Sequence, residues 1–283
     1  MADQQVETTQ NYEHIKKAVR ERYAATVKGS SGCSCGCGTS RPDLVELEHY
    51  TPEQLGSIPQ GAVEHALGCG NPLSFAGVLP GDVVLDIGSG AGIDALLASK
   101  LVGPTGKVIG LDFTPEMIEK ARENAARAGA TNVEFRQGDA ENMPVEDSSV
   151  DWIISNCVIN LAPDKRKVFG EVTRVLKPGG RVSISDIVTG ELPSVIRNSL
   201  AMWANCIGGA VEEGEYLRIM REAGLEEVRV ADRQYYDEAT VRAFVDSAVP
   251  WDDIKEPVSK FLASHNGLLR LFWSAKVAAR KPA

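Results

Sequence analysis

Six cysteines carry the chemistry this sequence could perform, and their spacing divides them into two groups. Cys33, Cys35 and Cys37 crowd into SGCSCGCG, whereas Cys69, Cys157 and Cys206 lie far apart and meet only if the fold brings them together. In a chain with no basic and then apolar leader, cysteines are more often metal ligands or reactive thiols than structural disulfides. Thiolates are soft donors, so converging cysteines select zinc, copper(I) or a trivalent metalloid. A structural zinc site usually pairs C-x-x-C with a second ligand pair downstream. Here the only close set is C-x-C-x-C, and His14, His49, His65 and His265 do not cluster. Metal binding by the Cys33 to Cys37 loop stays open. Each isolated cysteine also reads as an inert core thiol, because reactivity depends on thiolate character and exposure.

The elements that must position these thiols follow from periodicity. NYEHIKKAVRERYAATVK, residues 11–28, places Ile15, Val19, Tyr23 and Val27 on one stripe of a helix. A Gly, Ser and Cys loop over 29–40 follows, then acidic, proline-punctuated connecting sequence to about residue 59. From residue 82 the runs VVLDI, KVIGLD, VEFRQGD, DWIISN and RVSISDIV read as strands, with helical patterns through DALLASKL, PEMIEKARENAARAG and KRKVFGEVTRVL between them. This alternation predicts an α/β fold with a doubly wound, mostly parallel sheet. Helical patterns at 193–205 and 213–223 precede two late strands, EEVRVAD and LLRLFWSAKVAAR, and the first of them reads as a cap over the sheet. Cys157 then falls directly after the fourth strand, at the edge where such sheets bind ligands. Cys206 ends the cap segment, and Cys69, flanked by glycines in GCGNP, stands ahead of the first strand with freedom to swing toward the same cleft.

VLDIGSGAG supplies a ligand-approach loop: a strand ends near Asp86 and runs through Gly88, Ser89, Gly90 and Gly92 into a helix. The glycine spacing departs from the G-x-G-x-x-G that seats a pyrophosphate. Asp112 closes the second strand in GLDFTPEM, where a carboxylate can accept both hydroxyls of a ribose, with Phe113 beside it and Met117 one turn on to pack against an adenine. This is adenosine-binding geometry without the phosphates.

Together with GDAENMP, these motifs resemble the class I S-adenosylmethionine-dependent methyltransferases over roughly residues 82–188. The resemblance implies that Asp139, Ala140 and Asn156 also touch S-adenosylmethionine. Further motifs narrow it: GCGNP, SNCVINL, KPGGR with SISDIV, and NCIGGA are similar to the arsenite S-adenosylmethionine methyltransferases. That family implies trivalent arsenic held by Cys157 and Cys206, and Cys69 with a cysteine of the N-terminal loop cycling between thiol and disulfide. Thioredoxin or glutathione would then serve as reductant. Which of Cys33, Cys35 and Cys37 fills the loop role stays open. A C- or O-methyltransferase for a small lipid or quinone, and a non-catalytic arsenite-binding protein, are the alternatives.

Composition bounds these readings. With 43% hydrophobic and 24% charged residues, the 283-residue chain is an ordinary folded protein with room for one large domain or about two average ones. The formal net charge of -9 repels nucleic acid and anionic membranes. No apolar run is long enough to span a bilayer, and the expected location is the cytoplasm. Three parts are expected: a helix and Cys-loop arm at 1–60, a cofactor-binding core at 61–188, and a substrate cap with the final strands at 189–283. Glu212, Glu213 and Glu215 read as a solvated helix start.

Overall fold

The computed structural model describes residues 2–28, 47, 49–190, 208–236 and 272–283. Cys33, Cys35, Cys37 and Cys206, and the helix expected at 193–205, lie outside the described residues.

Short apolar runs become the central strands of a sheet covered on both faces, and more polar runs become its edges. The strands are β1 (Val83–Ile87), β2 (Lys107–Asp112), β3 (Val133–Gln137), β4 (Val150–Asn156), β5 (Leu176–Thr189), β6 (Glu226–Tyr235) and β7 (Phe272–Arg280), in the order β3-β2-β1-β4-β5-β7-β6. The first five pair in parallel. β7 enters antiparallel between β5 and β6, so the two late strands complete the core sheet. Strand order reverses between β1 and β4, and the carboxyl ends of these two strands open the crevice that doubly wound folds use for ligands.

Helices α4 (Ile93–Val102), α5 (Pro115–Ala128), α6 (Lys165–Val175) and α7 (Glu213–Glu222) flank the sheet. On one face Leu96, Ile118 and Phe135 pack with Val84 and Ile154; on the other Phe169, Val172, Tyr216 and Met220 pack with Leu85, Ile153 and Ile184. Each fully buried side chain of this kind contributes about 1.5–3 kcal/mol. Phe169 meets Tyr216 edge to face with ring centroids 5.5 Å apart, which fixes α7 against α6 and aims the Tyr216 hydroxyl into the crevice. As expected, acidic residues open α7, where Glu213 pairs with Arg233.

Two regions differ from the sequence expectation. Helix α1 (Ala2–Lys28) starts well before residue 11 and packs on α5 with Ile15 and Val19 buried. The connecting sequence holds two short helices, α2 (Pro52–Gly56) and α3 (Gln60–Val63). α2 begins with a capping box in which Thr51 accepts from the Gln54 N–H and the Gln54 side chain accepts from the Thr51 N–H.

Candidate active site

The glycine loop after β1 is shaped by what lies against it. Gly88, Gly90 and Gly92 have φ of 74°, 50° and 97°, a region that other residues enter at a cost of about 1–2 kcal/mol. A Cβ at Gly88 would lie 2.1 Å from Val158, so this turn takes no side chain. The Gly90 N–H donates to Asp112 Oδ2 at 3.0 Å and the Thr114 N–H to Oδ1 at 2.8 Å, which fixes the carboxylate at the mouth of the loop.

Two adjoining cavities meet here and share Gly88, Asp112, Phe113, Val158 and Leu161. The first is lined by Asp139 and Ala140 and roofed by Lys16 and Val19 of α1. The second contains Ser89, Gly90, Asp94, Met117, Asn156 and Cys157. Met117, expected against an adenine, and the Asp139–Ala140 pair, expected to touch the same cofactor, thus fall in different cavities. Asp139 also accepts an ion pair from Lys16 at 2.7 Å, Lys16 reaches Glu141 at 2.9 Å, and the Arg20 guanidinium lies 5.6 Å from the Phe113 ring centre. Helix α1 therefore closes the outer side of the crevice, a role its amphipathic stripe alone did not reveal.

Three carboxylates converge on the inner side. Asp86, Asp94 and Asp112 are all buried. Burial, reinforced by Asp94 and then Asp112, holds the Asp86 carboxyl well above the usual carboxylate range. Burial pushes Asp94 up to about 6 against hydrogen bonds from Asn156 and Tyr50, and raises Asp112 against the backbone N–H groups of Thr114 and Gly90. Among the described residues no basic side chain pairs with any of the three, and Asp86 Oδ2 and Ser89 Oγ are buried without a hydrogen-bond partner. A ligand with cationic groups and hydroxyls answers these uncompensated acceptors. S-adenosylmethionine, with a sulfonium, an ammonium and a ribose diol, fits them.

The thiol side is built by Asn156. Its Oδ1 accepts from the N–H groups of Cys69 at 3.0 Å and Gly70 at 3.2 Å, and its Nδ2 donates to Gly70 O at 2.7 Å, Tyr50 Oη at 3.0 Å and Asp94 Oδ2 at 3.1 Å. Tyr50 Oη donates to Asp94 Oδ1 at 2.9 Å. The glycines flanking Cys69 allow this close approach: a Cβ at Gly68 would sit 2.3 Å from the Asn156 amide, and one at Gly70 would sit 2.7 Å from Ser185. Their function is contact, where the sequence had pointed to swing. Asn156 lines the second cavity as expected, but its amide is spent on the Cys69 turn.

Cys157, the first residue past β4, is held at φ 62° with its N–H donating to Ser185 O at 2.8 Å, a strained backbone that turns its side chain into the crevice. Cys69 and Cys157 are both buried, and their sulfurs and a carboxylate oxygen of Asp186 lie within 4.8 Å of one another. Asp186 is pushed up to about 7 by burial, opposed first by the Lys165 charge and then by the Tyr216 hydroxyl. The sequence reading missed Asp186, although a charged residue inside the apolar strand SISDIV is a legible sign of a built polar site. It also missed Asp94, Tyr50 and Lys16. Cys69 and Cys157, the two cysteines among the described residues, are brought together.

The chain is similar to known methyltransferases. Residues 79–224 match the family model described as methyltransferase domain. An arsenite methyltransferase of Halobacterium salinarum is 41% identical over 96% of this chain and 68% of its own length, and one of Homo sapiens is 35% identical over 74% of this chain and 58% of its own. This chain thus spans only part of either relative. The crystal structure of an arsenic(III) S-adenosylmethionine methyltransferase from Chlamydomonas reinhardtii superposes with a TM-score of 0.63 at 32% identity, covering 81% of this chain and 72% of that one. A class I methyltransferase sheet, a crevice of uncompensated carboxylates and a thiol pair at its edge converge with these relatives: the chain belongs to the arsenite methyltransferase family.

Proposed function

We propose that this protein methylates trivalent arsenic, with Cys157, Cys206 and Cys69 as its ligands and S-adenosylmethionine as methyl donor. The observation that carries the reading is the meeting of Cys69 and Cys157 beside a cavity lined by Asp94, Asp112 and Asn156. When bound, S-adenosylmethionine supplies a methyl group on a positively charged sulfur. Asp112 holds the ribose hydroxyls, Asp94 faces the cationic groups, and Gly88 to Gly92 give the backbone room for close approach; Asp86, also a cofactor contact on the sequence reading, is buried and lines neither cavity. Asp139, Ala140, Phe113 and Met117 complete the walls.

Arsenite exchanges its hydroxyls for cysteine thiolates, each thiol proton leaving with a hydroxide as water. The bound arsenic keeps a lone pair, which would form the bond to the methyl carbon as the carbon–sulfur bond breaks and S-adenosylhomocysteine leaves. No general base is needed for the transfer itself, so the protein mainly holds arsenic against the methyl group. Such positioning accounts for about 7–11 kcal/mol of barrier. α1 and the buried hydrogen-bond chain keep water out and hold the Cys69 turn. Methylation takes arsenic formally to the pentavalent state. Two electrons from a pair of thiols, Cys69 with one of Cys33, Cys35 and Cys37, return it to the trivalent state and leave a disulfide for thioredoxin or glutathione to reduce. That cycle requires a reducing compartment, which favours the cytoplasm; no described helix is long and apolar enough to cross a membrane. The three-part organisation at 1–60, 61–188 and 189–283 is our working division, the arm and the cap each delivering a thiol to the core.

The test incubates reduced protein with arsenite, glutathione, thioredoxin and methyl-labelled cofactor, then separates the arsenic species. Label on arsenic that disappears in the Cys157→Ser plus Cys206→Ser variant supports the reading. Arsenite binding without transfer overturns catalysis, and labelled carbon or oxygen products with intact thiol variants overturn the substrate.

A further inference from the structure

The thiol pair shares its site with a carboxylate. Asp186, within β5, presents an oxygen that lies within 4.8 Å of both the Cys69 and the Cys157 sulfur, and all three residues are buried. Trivalent arsenic satisfies itself with sulfur donors and has no use for this oxygen. A borderline-soft divalent cation does. Zinc binds sulfur at ~2.3 Å and carboxylate oxygen at ~2.0–2.2 Å in tetrahedral geometry. Those lengths set donors about 3.6–3.8 Å apart, within reach by small side-chain rotations.

The carboxylate is oriented as a ligand would be. Asn160 Nδ2 donates to its Oδ1 at 2.8 Å, the Ile187 N–H to the same oxygen at 3.0 Å, and Tyr216 Oη to Oδ2 at 3.1 Å. An ionised carboxylate offers about four acceptor positions, so roughly one stays available for a monodentate bond. Hydrogen-bonded partners behind a ligating carboxylate are the usual support of metal sites. The charges also balance. Two thiolates and one carboxylate, set against the nearby Lys165, leave two negative charges, which a divalent cation cancels. Arsenic bound to three thiolates is neutral, and then Asp186 balances Lys165 alone.

We infer that Cys69, Cys157 and Asp186 form a binding site for a zinc-group divalent cation, which competes with the metalloid for the same two thiols. Binding converts both thiols to thiolates and releases their two protons to solvent. The competition rests on the proposed arsenic site, whereas the zinc site itself needs neither cofactor nor arsenic, so the zinc-edge spectrum fails or holds separately from the methyltransfer reading.

The test uses the reduced full chain carrying Cys33→Ser, Cys35→Ser and Cys37→Ser, which removes the competing loop thiols, with zinc as the probe. X-ray absorption at the zinc edge is expected to show at least two sulfurs together with oxygen. In equilibrium dialysis Asp186→Asn weakens zinc binding tenfold or more and changes arsenite binding less than twofold, whereas Cys157→Ser loses both. A shell of sulfur alone, or unchanged zinc affinity in Asp186→Asn, overturns the inference. If Asp186→Asn does not fold, competition in the loop-substituted chain decides: zinc that shows the mixed shell and displaces arsenite supports the site, and zinc that leaves arsenite binding unaltered overturns it.

Discussion

Replacing Tyr50 by Phe tests the link between the two halves of the crevice. The hydroxyl donates to Asp94 Oδ1 at 2.9 Å and accepts from Asn156 Nδ2 at 3.0 Å. Asn156 Nδ2 keeps Gly70 O and Asp94 as acceptors, so the principal loss is the bond to the buried carboxylate. A hydrogen bond to a charged group is worth about 1.5–3 kcal/mol and one between neutral groups about 0.5–1.5 kcal/mol. Asp94 carries its charge only above about pH 6, against 3.8 for an ordinary aspartate. An acid raised in the folded state costs stability as pH climbs from about 4 to about 6, and the cost is complete above that. Removing a donor that favours the charged form raises the folded value further and deepens this cost. The variant is therefore expected to lose about 1.5–3 kcal/mol at pH 7.5, roughly 3–12 °C in melting temperature, and about half that at pH 5. Urea unfolding of the cofactor-free protein at both pH values measures the difference. Equal losses at the two values, or a larger loss at pH 5, would refute the assignment of Asp94 as a charge held by Tyr50.

Gly88→Ala, with its Cβ 2.1 Å from Val158 and φ at 74°, is expected to reduce cofactor affinity at least tenfold by equilibrium dialysis while the sheet still folds by circular dichroism. Both Cys157→Ala and Cys157→Gly are expected to lose arsenic methylation, yet at φ 62° the Gly variant should be about 1 kcal/mol the more stable in urea; equal stability would mean that the backbone there is unstrained. Lys16→Ala removes the pair to Asp139 and Glu141, both reached at under 3 Å. Partly exposed pairs are worth about 0.2–1 kcal/mol, so KM for the cofactor should rise roughly two- to fivefold at low salt and converge with the parent at high salt, where charges are screened; a salt-independent change would assign Lys16 a packing role instead.

The sheet was legible because its parallel strands are short, apolar and separated by amphipathic helices: VVLDI, KVIGLD and DWIISN carry their burial in their letters. The thiol at Cys157 and the acid at Asp112 were legible because each ends a strand on the edge where this topology binds ligands. What escaped depends on distant pairing. Asn156 reads as a cofactor contact in isolation, and only the fold shows its amide gripping the Cys69 turn across 87 positions. Asp94 in the first turn of a helix looks like a favourable dipole partner, and nothing local places Tyr50 against it. Lys16 lies 123 positions from Asp139, so the ion pair that seats α1 on the crevice has no sequence signature. The Thr51 capping box is readable from TPEQ, although the proline and acidic character around it favour a loop.

The insertion of β7 between β5 and β6 has a consequence for synthesis. Among the described residues β6 pairs with β7 alone, and β7 also covers the outer edge of β5. As the chain leaves the ribosome, β6 is complete at Tyr235 but must wait for Phe272–Arg280. At ~5–20 residues per second that interval lasts roughly 2–9 s. Throughout it the nascent protein carries one orphan strand and one open edge on a half-closed sheet, a template for pairing with neighbouring polysomal chains. The strand that closes the sheet is thus made well after the edge it covers, and solubility during translation depends on its arrival.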